Sequence, residues 1–189
     1  RLQIELRDHA PLDQQSRTSA RGEHDADRLL RQDRGGIKRQ PVDTYRRQHR
    51  GGKGIIGHVT REEDAVEHLL VANTHHWALF FTNRGRVFSA KVHAIPDASR
   101  QAKGIPIINL PGVQVESGEL PMATIMLKDF KAGSYLVLAT RKGIVKKTEL
   151  AAFANPRPSG IIALSVEDDD ALIEAVFTSG ADEVLLATR

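Results

Sequence analysis

Apolar residues along this chain fall into short runs, each closed by a turn that carries a glycine. WALFFT (77–82) runs into Asn83-Arg84-Gly85 and out again as RVFSAKV (86–92). YLVLAT (135–140) runs into Arg141-Lys142-Gly143 and out as IVKKTEL (144–150). Short runs rich in Val, Ile, Phe and Thr, split by a glycine tip, predict β-hairpins. Residues 105–110 and 161–166 read as further strands, and MATIMLK (122–128) and ALIEAVF (171–177) as the next ones. EEDAVEHLLVA (62–72) has helical spacing, although the same stretch equally leads into a strand. No apolar run has the length to span a bilayer, and no signal-peptide pattern is visible.

The runs recur with a period. Residues 35–57, 79–110 and 136–164 align on a glycine turn (Gly35, Gly85, Gly143) and a β-prone segment centred on Ile37, Val87 and Val145. Each then has a polar, basic connection ending at a second glycine: Gly54, Gly104 and Gly160. Apolar residues follow: Ile55-Ile56, Ile105 and Ile107 around Pro106, and Ile161-Ile162. The segment centres are 50 and 58 residues apart, and the closing glycines 50 and 56. EVLLATR (183–189) copies YLVLATR (135–141), so a further repeat begins and is cut at Arg189. About four strands per repeat of this length predict an all-β fold of propeller-like blades. A β-sandwich of the same hairpins is the alternative.

Composition adds constraints. Hydrophobic residues are 40% and charged residues 27% of 189, the balance of a globular chain with a sizeable core. Cysteine is absent, which excludes disulfides and thiolate metal sites and fits a reducing compartment. Of the net charge of +3, residues 1–54 hold 13 Lys/Arg against 8 Asp/Glu, net +5, leaving −2 for the remainder. In residues 37–54, Lys38, Arg39, Arg46, Arg47, Arg50 and Lys53 face one acid, Asp43.

The heptad QHRGGKG (48–54) ends this stretch. Its glycines let backbone N–H groups approach a phosphate unobstructed, and Arg50 and Lys53 add charge. A solvated basic loop is the plainer alternative. The equivalent connections SRQAKG (99–104) and NPRPSG (155–160) carry Arg100, Lys103 and Arg157. Arg84, Arg86, Arg141, Lys142, Lys146 and Lys147 on the hairpins either line the same rim or are solvated strand ends.

From Ile37 to Arg189 the chain resembles the C-terminal DNA-wrapping domain of the DNA gyrase A protein. The resemblance rests on IKRQPVDTYRRQHRGGKGI, VANTHHWALFFTNRGRVF, ATRKGIVKKTEL, FANPRPSGIIAL and DEVLLATR, and covers about 150 of the 189 residues. It implies a β-pinwheel, a propeller-like ring of six blades with strands exchanged between neighbours, of which this chain covers about three. Residues 48–54 are similar to the gyrase box, QRRGGKG in its usual form, with His49 where the family has Arg. A neutral imidazole attracts phosphate less than Arg, which implies weakened but not abolished DNA binding.

The resemblance further implies that Gln48, His49, Arg50, Gly51, Gly52, Lys53 and Gly54 contact duplex DNA without reading its sequence. Arg46, Arg47, Lys38, Arg39, Arg100, Lys103 and Arg157 join them in that expectation. Wrapping then gives the DNA a hand, so that the parent type II topoisomerase introduces negative supercoils. ATP and Mg are used on other domains, with the gyrase B protein as partner in an A2B2 complex. No catalytic residue, cofactor or metal is expected in this chain, and the setting is cytoplasmic, nucleoid-associated and bacterial. Two alternatives remain: the corresponding domain of topoisomerase IV, whose box is absent or degraded, and a propeller-like protein–protein scaffold.

Residues 1–34 show little strand periodicity and read as a disordered lead-in. A shifted reading frame is the sharper alternative: moved by one base, codons for HDADRLLRQDR read MTLTAYSGRI, which is strand-like. Gly36 then stands where the family has an aromatic residue. Other signals point to structure. His75 and His76 are adjacent, with no third ligand evident. EDDD (167–170) reads as an acidic turn, and Trp77, Phe80, Phe81, Phe88 and Phe153 read as blade core. GGKGI lacks the P-loop pattern, and Tyr45 reads as structural, since the family's cleavage tyrosine lies in a domain absent here.

Overall fold

The computed structural model describes residues 3–7, 27–33, 36–44, 48–54, 66–99, 102, 104–155 and 157–187. Among the described residues the structure is all β, interrupted only by short 3-10 turns. The strands are β1 (Gln3–Arg7), β2 (Asp27–Asp33), β3 (Gly36–Pro41), β4 (Val66–Asn73), β5 (Trp77–Thr82), β6 (Arg86–Lys91), β7 (Pro121–Leu127), β8 (Tyr135–Thr140), β9 (Val145–Glu149), β10 (Ile161–Ile162), β11 (Leu172–Thr178) and β12 (Glu183–Ala187).

Three antiparallel sheets repeat one plan: β3-β2-β4, β10-β6-β5-β7 and β9-β8-β11. In each, a hairpin supplies two strands, and the strand leading to the next hairpin lies along the other side. In the first two, a further segment arrives from the following repeat. Ile161 of β10 pairs with Val87 of β6, and one repeat earlier Ile105 bridges to Ile37. The apolar residue behind each of these closing glycines is therefore exchanged into the preceding blade, as in a pinwheel and unlike a two-sheet sandwich. β12 pairs with β1.

Two cores lie between the three sheets. Leu30, Ile37, Phe80, Phe88, Val92 and Ile95 fill the first, and Leu79, Phe81, Val87, Leu136, Leu138, Leu150, Phe153 and Leu172 the second. Side chains alternate across a strand, so Phe80 faces one core while Leu79 and Phe81 face the other. Burial on both faces explains why WALFFT is a continuous apolar run rather than an alternating one. Phe80, Phe81, Phe88 and Phe153 are buried as expected, and Trp77 packs its ring 5.6 Å from that of Phe130.

Three expectations change. Residues 27–33, read as part of a disordered lead-in, form β2 at the centre of the first sheet, paired with β3 and β4. Its DRLLRQD sequence has two adjacent leucines among charges, so pairing on both edges imposes a strand that periodicity does not announce. Of the two readings of 62–72 the strand holds, since the stretch contributes to β4. Residues 105–110 make a single bridge and then a 3-10 turn, Ile107–Asn109, because Pro106 has no N–H to continue a ladder. Residues 161–166 are strand only over Ile161–Ile162, since the N–H groups of Ala163 and Leu164 both turn to the Gly85 carbonyl, at 2.9 and 3.1 Å. At Gly36 a Cβ would collide with the Ile105 carbonyl, so no side chain fits that crossing. Tyr45 lies outside the described residues.

Candidate functional site

Residues 48–54 form a turn that closes on itself. The Gly52 N–H donates to the His49 carbonyl at 3.1 Å, and the Gly54 N–H donates to Gln48 Oε1 at 2.9 Å. Gly51 and Gly54 have φ of 77° and 71°, a region that side chains disfavour. At Gly52 a Cβ would lie 2.6 Å from Gln48 Oε1 and would displace the side chain that caps the Gly54 N–H. All seven residues are exposed, and Arg50 and Lys53 have no ion-pair partner among the described residues. His49 stands exposed beside Arg50. The result is a short backbone loop held by one glutamine side chain, with two fixed cations facing solvent.

The repeat places a counterpart on the third blade. Arg157 is exposed, and its carbonyl accepts the Gly160 N–H at 2.9 Å. Gly160, at φ 77°, sits where a Cβ would lie 2.9 Å from the Phe88 ring. On the second blade Gly104 passes the Ile37 backbone, with a Cβ position 2.9 Å from its carbonyl oxygen. Arg46, Arg47, Arg100 and Lys103 lie outside the described residues.

Two expected contact residues are turned inward. Lys38 is 2% exposed, and its Nζ donates to the Ala102 carbonyl at 2.7 Å and the Ser99 carbonyl at 3.3 Å. Arg39 donates to Asp97 at 2.8 Å and to the Val92 carbonyl at 3.4 Å, with its side chain 11% exposed. A buried cation that satisfies carbonyls cannot be offered to a phosphate without losing them. This corrects the reading of both as surface contacts.

The hairpin cations are also engaged within the protein. Arg86 pairs with Glu116 at 2.6 Å and Glu119 at 3.3 Å and donates to the Gln114 and Ser159 carbonyls. Arg84 pairs with Glu116 at 3.0 Å, Arg141 donates to the Asp169 carbonyl at 2.6 Å, and Lys142 pairs with Asp169. Lys146 donates to the Ala163 carbonyl at 2.9 Å, and Lys147 lies 4.4 Å over the Tyr135 ring. Lys128 and Lys131 are exposed without an ion pair among the described residues. Sequence reasoning misses them, although their spacing in KDFKAG after an apolar run is a visible signal.

The acidic turn serves the fold. Thr82 Oγ1 donates to buried Glu119 at 2.5 Å, and one repeat later Thr140 meets Asp170. Asp170 Oδ1 accepts N–H groups from Ala171 at 2.8 Å and Lys142 at 3.0 Å. Burial raises the Asp170 carboxyl, but the bonds from Thr140, Ala171 and Lys142 and the Lys142 charge outweigh it and hold its pKa below the ordinary range. No geometric hydrogen bond reaches its buried Oδ2 among the described residues, and Ile144 stands where the preceding repeat has Arg86. His75 and His76 occupy a turn tied to Asn73, and no cluster of three potential metal ligands occurs among the described residues.

The chain matches the family described as the DNA gyrase C-terminal domain, beta-propeller, over residues 33–73, 76–115 and 134–179. It is 46% identical over 155 residues to the DNA gyrase A protein of Halalkalibacterium halodurans, spanning 82% of this chain but 18% of that protein. A crystal structure of the C-terminal domain of DNA topoisomerase IV superposes with a TM-score of 0.68 at 25% identity, covering 84% of this chain and 48% of that one. A structure of the DNA gyrase A C-terminal domain superposes with a TM-score of 0.61 at 22% identity, covering 80% and 48%, and shares the fold. The repeat, the exchanged strands and this match agree: the chain belongs to the DNA gyrase C-terminal domain family.

Proposed function

We propose that this chain binds duplex DNA without sequence preference and wraps it with a fixed hand, as part of a DNA gyrase that introduces negative supercoils. The observation that carries the reading is the exposed turn 48–54. Its Gly52 and Gly54 N–H groups close the turn internally, so the turn offers phosphate a side-chain-free approach and the charges of Arg50 and Lys53, which are unpaired among the described residues. The exposed Arg157 connection supplies a matching position on another blade. Bending a site of 20–30 base pairs costs about 1–6 kcal/mol, so contacts must repeat along the path. Gln48, His49, Arg50, Lys53 and Arg157 are the contact residues of this reading, with Arg46, Arg47, Arg100 and Lys103 as further candidates. The strand-passage chemistry, ATP with Mg, and the gyrase B protein belong to other parts of the complex, in a bacterial cytoplasm.

The test is binding to a duplex of about 150 base pairs across a salt series, for the chain and for Arg50→Ala/Lys53→Ala. The expected result is steep weakening with salt, and a log–log slope shallower by about 1.8 in the double variant, roughly 0.9 for each lost phosphate contact. A salt-independent interaction would favour a protein scaffold and overturn the proposal. The TM-score of 0.68 with the topoisomerase IV domain supports a second reading, with the same DNA contact but no supercoiling role. In the parent enzyme, loss of supercoiling with retained relaxation on the same substitutions decides for gyrase.

A further inference from the structure

We infer that the turn 128–134, between the second and third blades, is a further phosphate contact made by Lys128 and Lys131, and that DNA follows the end of the blades where this turn and the basic connections lie. The inference rests on the DNA-binding reading above and adds a position to its path.

Strand register fixes which end that is. Leu127, the last residue of β7, pairs with Trp77, and Trp77 pairs with Lys91, the last residue of β6. The turn 128–134 therefore leaves the second blade at the end where β6 passes into its connection. It enters the third blade at the same end: Tyr135 pairs with Glu149, and the Leu150 N–H donates to the Ser134 carbonyl at 2.8 Å. Leu150 begins the run that carries Arg157. The turn before β5 is built alike, its Thr74 and His76 carbonyls accepting the His93 and Val92 N–H groups at 3.0 Å. Both turns are thus stitched to the start of a connection, and 128–134 brings two cations there.

The turn is anchored, not loose. Phe130 packs inward against the second core, its ring 5.6 Å from that of Trp77. Lys91 lies 4.0 Å over the same Trp77 ring and donates to the His75 carbonyl at 2.9 Å. Lys128 and Lys131, on either side of Phe130, are exposed, and neither has an ion pair among the described residues. A backbone fixed beforehand has less freedom to lose when the two ammonium groups meet phosphate. Asp129 is the single acid of the turn.

The opposite end of the blades is unsuited to a polyanion. The hairpin tips 83–86 and 141–143 hold four bases, while the turns beside them, 116–120 and 167–170, hold six acids. The bases are already bonded to those turns: Arg84 and Arg86 to Glu116, Arg141 to the Asp169 carbonyl and Lys142 to the Asp169 carboxylate. Phosphate is attracted at the first end and repelled at the second.

The experiment takes the 189-residue chain and the same duplex across a salt series. Lys128→Gln/Lys131→Gln is expected to flatten the log–log slope by about 1.8, roughly 0.9 for each phosphate contact. The ratio of wild-type to variant affinity then shrinks about 12-fold between about 50 and 200 mM salt. Because the chain lacks cysteine, single cysteines can carry a photocrosslinker without altering any charge. Ala132→Cys, exposed in the turn, should crosslink to the duplex, and Ser117→Cys, exposed at the opposite end, should not. An unchanged slope in Lys128→Gln/Lys131→Gln, while Arg50→Ala/Lys53→Ala still flattens it, would overturn the inference and leave the DNA-binding reading standing. Crosslinking from Ser117→Cys equal to or above that from Ala132→Cys would overturn the path. Failure of the unsubstituted chain to bind the duplex would overturn the DNA-binding reading itself, and this inference with it.

Discussion

Replacing Gly51 with alanine isolates the backbone of the 48–54 turn from its charges. Gly51 has φ of 77°, and a Cβ there would meet nothing within 4 Å. The cost is therefore conformational: about 1–2 kcal/mol for an L-residue in the left-handed region. The turn is exposed and lies apart from both cores, so this cost acts on the turn's own population and not on the fold. A penalty of about 1–2 kcal/mol lowers the turn's equilibrium constant about 5- to 30-fold, and DNA affinity should fall by up to that factor. Gly51→Asn is the control, because asparagine tolerates the left-handed region far better than alanine. It should bind within about 3-fold of the wild type, a residual of roughly 0.6 kcal/mol. The assay is fluorescence anisotropy with a labelled duplex, beside a thermal melt to show that the fold is intact. Arg50 and Lys53 remain in both variants, so neither should change the salt slope. Wild-type affinity in Gly51→Ala, or equal loss in both variants, would refute the view that the turn's backbone geometry supports binding.

Other outcomes follow from the blade crossings and the buried carboxylate. Gly104→Ala puts a Cβ 2.9–3.0 Å from three backbone atoms of Ile37, which cannot swing aside, and should cost about 1–3 kcal/mol in urea denaturation. The Asp170 pKa is lowered in the fold, so its contribution is complete above the ordinary carboxylate range and is lost as pH falls through the folded value. Asp170→Asn should accordingly be less stable at neutral pH, with the gap to wild type narrowing below about pH 4 in denaturation curves. Ile144→Arg restores the partner that Arg86 provides one repeat earlier. It should stabilise the chain by about 1 kcal/mol by satisfying Asp170 Oδ2, and a lower melting temperature would count against that pairing.

Much of the architecture is legible in the sequence because it is local and repeated. The hairpins 77–92 and 135–150, the strands at 122–128 and 171–177, and the buried phenylalanines all come from runs and glycine tips that fix neighbouring residues. β2 is not legible, because its strand is imposed by β3 and β4 on either edge and not by its own pattern. The segments at 105–110 and 161–166 read as full strands because apolar composition does not reveal where the N–H groups go. Pro106 removes one, and Gly85 captures two.

The sequence by itself determined that basic residues cluster around a glycine-rich heptad and recur at equivalent connections. It also determined the turn's internal logic, since Gln48 and Gly54 are six residues apart and close the loop between themselves. Only the tertiary structure decided which cations face solvent and which are held inside. Lys38 finds its carbonyls 61 and 64 residues away, Arg39 its aspartate 58 residues away, and Arg86 the Ser159 carbonyl 73 residues away. A side chain's charge is written in one codon, but its partner arrives from the next blade, and burial between blades separates a phosphate contact from an internal clamp.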